Sequence, residues 1–205
     1  MKKVLFVVCL LIPSLATLAQ ENSADGKRMR YGFNLGVNYS NVLDNDELPD
    51  NATLVNGIGF RMGLLADIRV FDFLSVSPKS ELSFNNSKVK FTNPDGSSSS
   101  YDVMPISLDL MTHFTFKKHN SNLKPYFFFG PDVKIPVSKK PEDTTRYYTN
   151  PDVAIDLGIG AEKPLTRFSF LPELRYSFGL LNVNQHPQLK LLNVHTISLV
   201  LNFLG

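Results

Sequence analysis

From residue 31 onward, apolar and polar residues alternate with period two in one segment after another. In residues 31–40 one parity holds Tyr31, Phe33, Leu35, Val37 and Tyr39, and the other Gly32, Asn34, Gly36, Asn38 and Ser40. Residues 58–70 set Ile58, Phe60, Met62, Leu64, Ala66, Ile68 and Val70 against Gly59, Arg61, Gly63, Leu65, Asp67 and Arg69. Residues 153–162 and 196–203 repeat the pattern, with Val153, Ile155, Leu157, Ile159 and Ala161 in the first and Ile197, Leu199, Leu201 and Phe203 in the second. Successive side chains of a strand point to opposite faces, so each segment predicts a strand with one greasy and one polar side. Residues 74–85, 103–116, 125–135 and 168–180 fit less cleanly and carry Pro78, Pro105, Pro125 and Pro172. Proline removes a ladder donor, which predicts a strand end, a bulge or a gap in pairing at those points.

Eight strands result, and the connections between them alternate in length. Residues 41–56, 86–100 and 136–151 are long; Phe71-Asp72-Phe73, 117–123 and 163–166 are short; 181–190 is intermediate. The prediction is an all-β fold, an eight-stranded antiparallel up-and-down transmembrane β-barrel. Both termini lie at its short-turn, periplasmic end.

A soluble lipocalin-like barrel is the competing architecture, with its greasy parity turned inward around a ligand. Two features favour the membrane. The polar parity carries Arg61, Asp67, Arg69, Lys79, Glu81, Asp109, His113, Asp132, Lys134, Asp156, Glu162, Glu173 and Arg175, while the greasy parity is free of charge through its centre. A Lys or Arg facing hydrocarbon at the midplane costs about 2–4 kcal/mol. The aromatics also bunch at strand ends. Tyr31, Phe33, Phe71, Phe73, Phe114, Phe116, Tyr126, Phe127, Phe168, Phe170 and Phe203 lie near the short turns; Tyr39, Phe60, Phe84, Tyr101, Tyr176 and Phe178 lie near the long loops. Two such bands are what the two bilayer interfaces select. The competing models differ on Leu35, Leu64, Ile155 and Leu199, which must face outward in one and line a cavity in the other.

The first residues change the picture in a different way. Met1-Lys2-Lys3 is a basic start, an apolar stretch follows to Leu15, and Thr17-Leu18-Ala19 offers small residues for cleavage. Residues 1–19 therefore predict a cleaved signal peptide and residues 20–205 the barrel domain. The apolar core is too short to span a bilayer, and no apolar run of 18 residues follows it. Cys9, the sole cysteine, sits mid-core after Val8 rather than at a lipoprotein site, so the mature chain has no thiol. The formal charge is +2, and without Lys2 and Lys3 the signs balance, which excludes a nucleic-acid binder.

Short motifs then suggest kinship. They are Tyr31-Gly32-Phe33-Asn34-Leu35-Gly36, Glu81-Leu82-Ser83-Phe84, Met104-Pro105-Ile106-Ser107-Leu108 and Lys124-Pro125-Tyr126-Phe127-Phe128-Phe129-Gly130-Pro131. Glu173-Leu174-Arg175-Tyr176-Ser177 with Gly179-Leu180-Leu181-Asn182 completes the set. In these the chain resembles the PorT-like outer-membrane β-barrel family of Gram-negative bacteria. The resemblance implies an outer-membrane barrel and brings no catalytic residues. One member of the family is an accessory of a protein-secretion system.

Three places are candidates for function. Eight strands enclose room only for side chains, and buried charges must be paired. Arg61, Asp67, Arg69, Lys79, Glu81, Asp109, Asp132, Lys134, Asp156, Glu173 and Arg175 thus predict an ion-pair network that plugs the lumen. Glu81, Glu173 and Arg175 are expected to pair with neighbouring strands, and a narrow ion path is the alternative. The second place is the outer rim, where His195 shares the lipid-facing parity with Ser80 and Thr112. No carboxylate of that parity is evident to orient a base, so no enzyme is expected. The third is the long loops, where Arg146, Tyr147 and Tyr148 form a candidate contact patch beside the charges of 139–143. Asp44, Asp46, Glu47 and Asp50 lack the pattern of a calcium loop, and the histidines lack metal-ligand spacing. No cofactor or metal is expected. The expected partners are outer-membrane lipid and other envelope or secretion proteins, for a monomeric barrel.

Overall fold

The computed structural model describes residues 28–44, 48–93, 95–117, 123–137, 149–187 and 189–205. Eight strands close into an antiparallel barrel. They are β1 (Met29–Asp44), β3 (Gly57–Phe71), β4 (Leu74–Phe84), β7 (Ile106–Lys117), β8 (Lys124–Pro136), β9 (Asp152–Pro164), β10 (Ser169–Gly179) and β11 (Leu192–Leu204). Each pairs with its neighbours in sequence, and β1 closes on β11 through the register Gly32 to Leu204 and Asp44 to Leu192. The shortest, β4 and β10, have 11 residues, enough to cross hydrocarbon when tilted.

The greasy parity faces out. Leu35, Leu64, Ile155 and Leu199 are 49%, 69%, 44% and 51% exposed, whereas Arg61, Glu81, Asp156 and Arg175 are buried. This inverts the side-chain distribution of a soluble domain, and a membrane is the solvent that accounts for it. It excludes the lipocalin-like arrangement. Outside, at the short-turn end, Phe71, Phe73, Phe116 and Phe127 form a chain of stacked rings, and Phe33, Phe168 and Phe170 gather around Phe203. At the long-loop end Phe60 stacks on Phe84 at 4.3 Å. Two aromatics leave the predicted bands. Tyr126 points into the lumen and is buried, because the run Tyr126–Phe129 is aromatic on both faces and parity alone cannot orient it. Tyr101 is buried in a separate element.

That element is absent from the sequence reading. Within the predicted loops lie β2 (Ala52–Val55), β5 (Lys88–Thr92) and β6 (Ser98–Asp102), which form a three-stranded antiparallel sheet. Gly96, at a φ of 82°, makes the turn from β5 to β6, with its N–H donating to the Asn93 carbonyl. Val89, Phe91 and Tyr101 of this sheet join Val103, Met104, Val183 and Leu189. Together they pack on Val42, Leu192 and Val194, the inward residues at the long-loop end of β1 and β11. The result is an apolar cap on the outer mouth. Of the prolines, Pro172 has the clearest effect. The pairing of β9 with β10 runs from Ser169 opposite Pro164 to Phe170 opposite Lys163, and resumes only at Glu173 opposite Gly160.

Candidate functional site

The lumen holds the charged side chains that alternation placed there, organised in layers. In the central layer Glu81 of β4 accepts from three directions. Arg175 of β10 donates from Nη1 to Oε2 at 2.9 Å and from Nη2 to Oε1 at 3.1 Å, Arg61 from Nη1 to Oε2 at 3.1 Å, and Asn34 from Nδ2 to Oε1 at 2.8 Å. Glu173 takes Lys79 Nζ at 2.8 and 3.0 Å and the Tyr126 hydroxyl at 3.1 Å, and lies 3.4 Å from Arg175 Nη2. Asp156 accepts from Ser177 Oγ at 2.6 Å and meets His113 Nε2 at 2.9 Å. A bidentate Arg–carboxylate fork and further hydrogen bonds are what a buried ion pair needs to offset its desolvation.

Two of these pairs correct the expectation of neighbouring strands. β4 and β10 are not adjacent in the barrel, so Arg175–Glu81 and Lys79–Glu173 reach across the lumen. The interior of eight strands is about as wide as two long side chains, which makes the opposite wall as accessible as the adjacent one. Glycines clear the way. A methyl at Gly158 would overlap the Phe128 ring, and one at Gly160 the Tyr126 ring, so both rings lie over the backbone of the adjacent strand β9. With Leu65, Leu171 and Leu204 these rings form a small apolar layer inside the barrel.

Above the central layer the pairing thins. Lys134 stands between Asp109 and Asp152 in the strand register, and its Nζ is 4.0 Å from Asp132. Asp109 accepts from Ser107 Oγ at 2.6 Å and lies 3.6 Å from Arg61. Asp132 is fully buried and accepts no hydrogen bond from the described residues.

At the short-turn mouth a second charged ring closes the other end. Arg30 donates to Asp67 at 2.7 Å and to Glu162 at 2.6 Å. Lys117 lies 3.0 Å from Asp67 and 3.3 Å from Glu162. Neither Arg30 nor Lys117 was placed in the network by sequence. Arg30 lies one residue before the alternation starts, and in the sequence Lys117 is the first residue of the short connection 117–123. Arg69, predicted to pair in the lumen, does not. The β3–β4 register shifts between Arg69 and Phe71, the side chain is half-buried at the rim, and it makes no ion pair among the described residues.

On the outer face His195 keeps the predicted lipid-facing parity, and its Nδ1 is 2.6 Å from the Tyr176 hydroxyl, with Phe178 against its ring. Ser80 and Thr112 also face outward on β4 and β7. Among the described residues no three His, Cys, Asp or Glu side chains converge as a metal site. Arg146, Tyr147 and Tyr148, the charges of 139–143, Asp46, Glu47, Cys9 and the signal segment lie outside the described residues.

Comparison with solved structures finds the same architecture in one of them, Neisserial surface protein A. Neisserial surface protein A superposes with a TM-score of 0.53 at 11% identity, covering 85% of this chain and 95% of that one. The outer membrane protein OprG of Pseudomonas aeruginosa gives 0.49 at 11% identity, over 86% and 91%. Ail, the attachment invasion locus protein of Yersinia pestis, gives 0.42 at 15%, over 87% and 99%. The first supports the fold, and at these identities none carries function. No curated protein matches the sequence. A family model described as "Outer membrane protein beta-barrel domain" matches residues 18–185, stopping short of β11. With the outward apolar band and the filled interior in place, this match makes the chain a member of the outer membrane protein beta-barrel domain family.

Proposed function

We propose that this protein is a non-conducting, non-catalytic outer-membrane barrel, a rigid anchor that presents its cap and long loops to other components of the cell envelope. The observation that carries the reading is the cross-lumen fork between Arg175 and Glu81, which stands in the path any solute would take. The apolar cap adds a second closure at the outer mouth. Reconstitution in planar bilayers tests it. The expected result is no steady unitary conductance, and a stable, large open pore overturns it. A deletion strain should keep its lipid A unchanged, and an altered lipid A would point to an enzyme instead.

The loops are where contact with partners is proposed, with Arg146, Tyr147 and Tyr148 as the patch. The short motifs shared with PorT-like barrels support a narrower version, an accessory role in protein secretion. Purification from native membranes separates the two, because a secretion accessory brings defined partners with it. Export through a signal peptide cleaved after Ala19 belongs to the same reading. N-terminal sequencing of the membrane form should begin at Gln20.

A further inference from the structure

The short-turn mouth contains a small polar cavity of about 150 Å³ between Arg30, Asp67, Arg69, Lys117, Lys124 and Glu162, with the Ser75 and Ser169 hydroxyls in its wall. Four of those six ionisable groups are cations and two are carboxylates. Arg30 and Lys117 use both carboxylates, each contacting Asp67 and Glu162. Arg69 and Lys124 are left over. Lys124 stands opposite Glu162 in the strand register, yet neither it nor Arg69 makes an ion pair among the described residues. Two uncompensated cations therefore share one recess with a hydroxyl-lined wall, which concentrates positive potential.

We infer that this recess is an anion site for a phosphate group. Liquid water occupies about 30 Å³ per molecule, so the space is large enough for a tetrahedral oxyanion together with bound water. Arg69 supplies a planar fork suited to two oxygens, Lys124 a mobile point charge, and the serines neutral donors. The central network offers no such vacancy of charge, because Arg175 is forked onto Glu81 and Arg61 donates to Glu81 and Ser83. The position at the mouth admits two sources of the same chemistry: free phosphate from the periplasm, or the phosphate of an inner-leaflet phospholipid headgroup bending over the rim.

The test uses the full mature chain, folded in an uncharged detergent and checked by heat-modifiable migration. Titration with inorganic phosphate is followed by calorimetry at low chloride. Lys124→Gln and the double variant with Arg69→Gln are compared with Lys190→Gln, a change in the loop at the opposite end. Saturable one-to-one binding that weakens at least tenfold in the double variant and not in Lys190→Gln supports a free-phosphate site. If detergent samples bind nothing, the same variants are reconstituted in phosphatidylcholine vesicles with and without phosphatidylglycerol. Phosphorus-NMR detection of an immobilised phosphodiester headgroup in either lipid, lost in the double variant, assigns the site to lipid. Binding unaffected by both substitutions, or no binding in either arm, overturns the inference. Lys124→Gln alone touches a half-exposed side chain and keeps the test usable should the double variant fail to fold.

Discussion

Glu81 is the residue on which the interior turns. It is fully buried and engages Arg61 and Arg175 together, so its charge balances two guanidinium groups that have no water to retreat to. Removing one partner of such a pair leaves an uncompensated buried charge, which costs about 3–5 kcal/mol. Glu81→Gln should lower the urea concentration at which the heat-modifiable band is lost by a corresponding amount. Asp132 is the opposite case. It shares its part of the lumen with Asp109 and Asp156, and its nearest cation is Lys134 at 4.0 Å, with Arg61 farther off. Asp132→Asn relieves like-charge repulsion and should raise the same midpoint, by about 1 kcal/mol or more. Alternation showed that both residues face inward. It did not show which of them is paired, because partners are set by the three-dimensional reach of Arg175 from the far wall and not by neighbours in sequence.

Among the elements, the cap was the part hidden from sequence reasoning. The segments Lys88-Val89-Lys90-Phe91-Thr92 and Ser98-Ser99-Ser100-Tyr101-Asp102 alternate over too few residues to stand out from loop composition. They are held by tertiary burial of Val89, Phe91 and Tyr101. The barrel strands were legible because each repeats its two-faced pattern over a membrane's thickness. The cap also carries a titratable contact. His186 stacks on Phe91 at 4.6 Å and lies 5.6 Å from Tyr101, and burial pushes its imidazole below its ordinary value. A histidine held low in the folded cap contributes fully above about pH 6.5, its unfolded value, and its contribution is lost as pH falls through the depressed one. Hydrogen exchange of the β5 and β6 amides, corrected for intrinsic rate, should therefore quicken on acidification below that point. In His186→Phe the corrected rates should stay flat. Equal pH dependence in both proteins would remove His186 from the explanation.

For the molecule as a whole the decisive property is the direction of its apolar surface, and one strand tests it with a single chemistry. Leu64 and Ile58 both point outward from β3 and are both highly exposed, at 69% and 74%. They differ in depth: Leu64 is at the middle of Gly57–Phe71, and Ile58 is the second residue at the long-loop end. In hydrocarbon an arginine costs about 2–4 kcal/mol at the midplane and about 0–1 kcal/mol near the interface. Leu64→Arg should therefore destabilise the barrel strongly in phospholipid vesicles, while Ile58→Arg remains close to the parent, its side chain reaching the headgroups. In water the order would vanish, since both sites are equally open and an exposed arginine is tolerated at either. Folding titrations of the two variants in vesicles thus read the solvent around β3 directly. A gap of about 1–4 kcal/mol between them follows only if acyl chains surround the middle of the strand. The gap should widen in thicker bilayers, which keep Leu64→Arg further from either surface.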